Sequence, residues 1–173
     1  MSSFWIMPYE SLIDDSKEIK FTDDRATIQS KYKLSKSLDD NYSKEDVFMD
    51  TDYYFHATYD TNNIVDAVLF FPPSNPYYLL ISFFNYSYLV FLQQSLIDDA
   101  NEIIYVADGF FDFALGIYCR SEIKDKKQKL DSPPTMVMVF RRGRFDKYRD
   151  QMQQESEKWK IKSDQVLRVG IDL

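Results

Sequence analysis

Between residues 45 and 119 the chain has no lysine and no arginine. The same stretch carries 11 acidic side chains: Glu45, Asp46, Asp50, Asp52, Asp60, Asp66, Asp98, Asp99, Glu102, Asp108 and Asp112. Its net charge is −11, against −1 for residues 1–44 and +5 for residues 120–173, giving −7 overall. A chain so acidic is a poor match for sequence-independent binding to nucleic acid or anionic lipid, since neutralising phosphate needs Lys and Arg on the contact face. The acids need counter-charge, either from the C-terminal third or from a basic partner.

Other scarcities narrow the chemistry. There is one cysteine, Cys119, so no intramolecular disulfide forms, and its strand-like neighbours predict a small buried hydrophobe. The one histidine, His56, sits mid-strand, and no G-x-S-x-G or similar nucleophile motif accompanies it. One His and one Cys cannot build a zinc site, and Asp50-Thr51-Asp52 lacks the Gly and terminal Glu of a calcium loop. No cofactor motif is present, and Gly-rich phosphate loops are missing from a chain with only four glycines. The longest apolar run, 77–92, is broken by Ser82, Asn85 and Ser87, too short and polar for a membrane span. The N-terminus lacks the basic region and apolar core of a signal peptide. The expectation is a soluble, cytoplasmic, non-enzymatic protein.

Aromatics are what the chain has in abundance. Of its 29 Phe, Tyr and Trp residues, 19 lie within 45–119, so the segment that supplies the core also carries the unpaired acids. At 173 residues, with 45% apolar composition, one folded domain is expected. Phe4-Trp5-Ile6-Met7 predicts a strand, followed by a Pro8-led helical turn through Leu12 and Ile13. Residues 14–44 are polar, self-neutralised and in part mobile on this reading. Residues 53–60 and 64–71 predict a hairpin about Thr61-Asn62-Asn63, ended by Pro72-Pro73. A third strand is predicted over 77–84, and a helix over 88–100 capped by Ser87. Strands over 103–107, 111–119 and 135–140 follow, with a turn at Asp108-Gly109 and a Lys-rich loop over 121–132. A helix is predicted over 144–160, on which Phe145, Tyr148, Met152 and Trp159 share a face, and an edge strand over 166–171. The fold class is therefore α+β: one domain, a mainly antiparallel sheet and two principal helices.

Asp108-Gly109-Phe110, Leu115-Gly116-Ile117 and the run Val137-x-Val139-Phe140-x-x-Gly143-x-x-Asp146 together resemble small bacterial immunity proteins of polymorphic and contact-dependent growth-inhibition toxin systems. In that family a D-G-F turn, an L-G-I strand and a V-x-V-F-x-x-G-x-x-D stretch recur. The resemblance implies a protein that binds a cognate toxin domain and blocks it. Read with the charge, it implies a basic partner, such as a nuclease-type toxin, met by Asp60, Asp66, Asp98, Asp99, Glu102, Asp108 and Asp112 among exposed aromatics. The basic cluster Arg141, Arg142, Arg144, Lys147 and Arg149 is read as an internal counterweight to those acids. Two alternatives stay open: an acidic nucleic-acid mimic, and a small hydrolase working with paired carboxylates.

Overall fold

A computed structural model describes residues 2–41, 43–78, 81–85, 103–106, 108–120 and 133–159. The strands are β1 (Ser3–Met7), β2 (Ser11–Ile13), β3 (Glu18–Lys20), β4 (Leu34–Ser37), β5 (Lys44–Met49), β6 (Tyr54–Tyr59), β7 (Val65–Phe71), β8 (Asn75–Tyr78), β9 (Ile81–Ser82), β10 (Ile103–Val106), β11 (Gly109–Asp112), β12 (Ile117–Arg120) and β13 (Met136–Phe140). The helices are α1 (Arg25–Lys31) and α2 (Arg149–Trp159), the latter entered through a 3-10 turn over Asp146–Tyr148. Eight strands form one sheet in the order β10-β11-β12-β13-β7-β6-β5-β4, with every neighbouring pair antiparallel. Five form a second sheet, β3-β2-β1-β8-β9, in which β1 and β8 are parallel. The α+β, mainly antiparallel architecture expected from the sequence is the one observed.

At β13 the large sheet is buried on both faces. All five of its residues are buried, with Val137 and Val139 in one hydrophobic cluster and Met136, Met138 and Phe140 in another. Period-two alternation sends successive side chains to opposite faces, so this near-continuous apolar run feeds two cores at once. The first core gathers Phe55, Phe70, Phe110, Ile117 and Cys119 of the large sheet against Phe4, Ile6, Leu12 and Ile19 of the small one, and against Ile28 of α1. Phe4 sits at its centre, with ring centroids 4.8 Å from Phe70 and 5.6 Å from Phe55. The second core, on the opposite face, packs Phe111, Tyr118 and Phe140 beneath Phe145 and Met152.

Several expectations are corrected. Residues 11–13 form β2, not a helical turn, because Leu12 pairs with Ile19 and both side chains are fully buried. Within 14–44 the described residues include β3, α1 and β4. Asp24 caps α1, its Oδ1 accepting the Thr27 N–H at 2.8 Å, and the (i, i+4) pair Ile28 and Tyr32 turns inward. The sequence reading passed over β5, whose alternation is disguised by a buried Asp46. The strand predicted over 77–84 is a hairpin of β8 and β9, and the one over 111–119 divides at a turn into β11 and β12. Asp112 makes that turn by accepting the N–H groups of Ala114 at 3.0 Å and Leu115 at 3.1 Å, and Gly116 completes it at φ 68°. The C-terminal helix begins at Arg149, not 144. Phe145 therefore precedes it, and Tyr148 is 44% exposed instead of facing inward. The predicted helix over 88–100, the loop over 121–132 and the edge strand over 166–171 lie outside the described residues.

Candidate functional site

Of the seven acids expected to meet a partner, four are described, and the fold treats them differently. Asp60 closes the β6–β7 hairpin, its Oδ1 accepting the N–H groups of Asn62 at 2.9 Å and Ile64 at 3.0 Å. Its Oδ2 accepts from Arg141 at 3.1 Å. Partial burial works to raise the Asp60 pKa, but these donors prevail and hold it below the usual carboxylate value. Asp66 is the extra residue of a β-bulge, since Thr58 pairs with Ala67 and Tyr59 with Val65. The bulge aims its carboxylate at Arg141, 3.2 Å away, and at Arg144, which also donates to Thr58 Oγ1 at 3.0 Å. Asp112 is 2% exposed and serves the β11–β12 turn. Only Asp108 stands out at the surface, with Arg120 at 3.5 Å. Asp98, Asp99 and Glu102 lie outside the described residues. The basic residues that follow β13 thus reach back across the sheet to two of the candidate acids, the internal compensation the charge asymmetry called for.

Two arginines each hold a pair of carboxylates. Arg25 donates to Asp39 at 2.7 and 2.8 Å and to Asp46 at 2.5 and 2.9 Å, as Arg141 does to Asp60 and Asp66. The hydrogen bonds from Arg25 hold Asp39 low. Burial works against Asp46, yet Arg25, Ser37 and Gln29 still hold it low. Two-carboxylate hydrolysis needs one acid protonated at working pH, and Arg25 keeps both members of its pair ionised. His56 has a similarly structural setting. Its Nδ1–H donates to Glu45 on β5, its Nε2 faces the Tyr54 hydroxyl at 3.1 Å, and its ring lies 4.9 Å from that of Phe71. Both ring nitrogens are occupied within the sheet. Among the described residues no group of three or more His, Cys, Asp or Glu side chains could hold a metal ion.

Two surface features remain that the sequence reading did not single out. The first is the outer face of the small sheet. β1 alternates, so Phe4 and Ile6 enter the core while Trp5 and Met7 face outward, 40% and 43% exposed. Trp5 lies directly across from Ile13 on β2 and from Tyr77 on β8, with the Trp5 and Tyr77 rings 5.0 Å apart. Glu18 continues the row beyond Ile13. The alternation within Phe4-Trp5-Ile6-Met7 was the available signal, but which face is covered depends on the second sheet.

The second feature is a cleft of about 410 Å³ lined by Tyr9, Phe113, Ala114, Phe140, Arg142, Gly143, Asp146 and Arg149. Part of the resemblance stretch borders it, while Phe110, Leu115, Ile117, Val137 and Val139 belong to the first core. Gly109 sits where a Cβ would collide with the Cys119 carbonyl, which lets β11 and β12 close together. Gly116 packs beneath the Tyr9 ring and the Phe140 carbonyl, and Phe140, Gly143 and Asp146 are wall residues. Tyr9 itself holds a left-handed φ of 62°, costly for a bulky side chain, and its hydroxyl donates to the Phe113 carbonyl. Among the described residues no helix is long and apolar enough to cross a membrane. No protein-family model, curated protein or solved structure matches the chain.

Proposed function

We propose that this chain is a non-enzymatic immunity protein that binds a cognate basic toxin domain, with the outer face of the small sheet as its docking surface. The observation that carries this is the cross-strand cluster of Trp5, Ile13 and Tyr77 with Met7, apolar and aromatic, on a protein of net charge −7. Aromatic anchors that become fully desolvated supply most of the affinity of such interfaces. The overall negative charge would speed encounter with a basic partner and discourage acidic ones. The resemblance of residues 108–146 to toxin-immunity proteins supplies the class of partner. Asp60, Asp66 and Asp112 are committed internally, which leaves Asp108 of the described acids, together with Asp98, Asp99 and Glu102, to contribute to the field.

The test is co-expression with the toxin domain encoded beside this chain's own coding sequence. The wild-type chain should restore growth and form a complex with that domain. Trp5→Ala should raise the dissociation rate by about tenfold or more, and reversing Asp98 and Asp99 to Lys should slow association at low salt. Failure of the chain to protect, or protection unaffected by Trp5→Ala and Ile13→Ala together, would sink the reading.

A further inference from the structure

We propose that Tyr54 is a modification site: its hydroxyl takes an acyl group from activated acyl donors, with His56 removing its proton and Glu45 orienting His56. The three side chains share one face of the large sheet. Tyr54 and His56 lie two apart on β6, so alternation sends them to the same side. Glu45 comes in on the diagonal from β5, since His56 pairs with Val47 and Glu45 with Thr58. A carboxylate only accepts, so in the neutral ring Nδ1 carries the hydrogen that bonds Glu45. Nε2 is then the acceptor facing the Tyr54 hydroxyl at 3.1 Å. A nucleophile within reach of a base, and that base oriented by a third group, is the arrangement that activates serine and cysteine, and tyrosine also forms covalent adducts.

The relay is held from behind. Buried Ser74 fixes the Tyr54 backbone, its Oγ accepting the Tyr54 N–H at 2.7 Å and donating to the Tyr54 carbonyl at 2.9 Å. Phe71 of β7 packs on both rings, stacked on Tyr54 at 5.0 Å between centroids and 4.9 Å from His56. The relay also reaches solvent. Tyr54 is half-buried, and the side chains of His56 and Glu45 are 15% and 23% exposed. Met49, which pairs with Tyr54 across β5 and β6, is 50% exposed.

The transfer step balances within these groups. As the Tyr54 oxygen attacks the acyl carbonyl carbon, the phenolic proton passes to His56 Nε2. The bond from that carbon to the leaving group then breaks, and the departing group takes the proton from His56. His56 returns to its neutral form and Tyr54 is left as a phenyl ester. The donor must carry a leaving group better than phenolate, as acyl phosphates, anhydrides and acyl imidazoles do. Ordinary alkyl esters and amides do not. The reaction is stoichiometric and leaves the acyl group on the chain, so it adds a modification site without turnover. Tyr54 lies on the large sheet and Trp5 on the small one, so the proposal draws nothing from toxin binding.

The experiment treats the full native chain with N-acetylimidazole near neutral pH and reads acetylation of each tyrosine by peptide mass spectrometry. Tyr148, 44% exposed, is the internal reference, because exposure alone would make it the faster of the two. Tyr54 should be acetylated about tenfold faster than Tyr148, within the roughly 10²–10⁴-fold that a positioned base can supply. In urea, which dismantles the relay, the two should react at similar rates. His56→Gln should bring Tyr54 to or below the rate of Tyr148 with circular dichroism unchanged. Glu45→Gln should slow Tyr54 about threefold or more and leave Tyr148 as it was. Tyr148 reacting as fast as Tyr54 or faster in the native wild-type chain would overturn the proposal, and that comparison needs no variant to fold. An unaltered Tyr54 rate in folded His56→Gln would overturn it as well.

Discussion

Arg25 grips Asp46 through two hydrogen bonds, Nη2 to Oδ1 at 2.5 Å and Nε to Oδ2 at 2.9 Å. Asp46 is fully buried on β5, and Ser37 Oγ on β4 and Gln29 Nε2 on α1 donate to it at 2.6 and 2.9 Å. One carboxylate therefore joins α1, β4 and β5, the elements that cover one end of the first core. A buried ion pair of this kind is costly to desolvate, and removing one member leaves the other charge without compensation.

Asp46→Asn should accordingly destabilise the fold by about 3 kcal/mol in urea unfolding. The pH dependence follows from the sign of the shifts. Asp39, Asp46 and Asp60 all sit below their ordinary value of 3.8 in the folded state. Their contribution is fully present above that value and drains away as pH falls below it through the folded pKa values. Stability should be flat above about pH 5 as far as these groups decide it, and should fall steeply below pH 4. The fall should be shallower in Asp46→Asn. An equally steep fall in the variant would mean that Asp46 is not one of the groups responsible.

Tyr59 offers a contrasting case. Its ring is buried in the first core with Arg25 5.4 Å from the ring centroid, but its hydroxyl has no hydrogen-bond partner among the described residues. Burial, with the charge of Asp46 nearby, pushes its pKa well up. A buried unsatisfied hydroxyl is a liability, so Tyr59→Phe should leave stability unchanged or raise it by up to about 1 kcal/mol. A loss of that size in thermal or urea unfolding would instead indicate a hydrogen bond to Asp46.

Gly116 is the position where a methyl group does most harm for its size. At φ 68° an L side chain is strained, and a Cβ would lie 2.8 Å from Tyr9 Cε1 and 2.9 Å from the Phe140 carbonyl oxygen. Gly116→Ala should cost about 2 kcal/mol or more, combining backbone strain with displacement of Tyr9. Unaltered stability would show that the β11–β12 turn adapts.

Cys119 lies in the first core at 1% exposure, and burial, with Asp112 adding to it, pushes its thiol well up. Only the thiolate reacts. Iodoacetamide at pH 8 should label the native chain at least about tenfold more slowly than the urea-unfolded chain. Rates that agree within a factor of two would place the residue outside a stable core.

The fold class could be read from the sequence because it rests on local periodicity. Strand runs such as 64–71 and 135–140 are long enough in Val, Phe and Met for pattern alone to identify them. β5 escaped notice because Asp46 breaks its inward apolar row, and the substitute for an apolar side chain there is a salt bridge to a residue 21 positions earlier. The elements within 14–44 were not legible because their inward side chains are few, Ile19, Phe21, Ile28 and Tyr32, each buried by distant partners. The glycine and aspartate turn chemistry at 108–116 and 143–146 was visible as a motif, yet its meeting with Tyr9 was not.

By itself the sequence determined the sign and distribution of charge, the hairpin turn at 61–63 and the alternation that makes β1 and β13 strands, since these depend on neighbours along the chain. The tertiary structure alone decided which carboxylates are spent internally, which face of β1 stays uncovered and which arginines share a cleft. Those outcomes depend on groups far apart in sequence: Arg141 lies 75 residues from Asp66, and the Tyr9 hydroxyl reaches a carbonyl 104 residues away. Only pairing of whole strands brings such groups together.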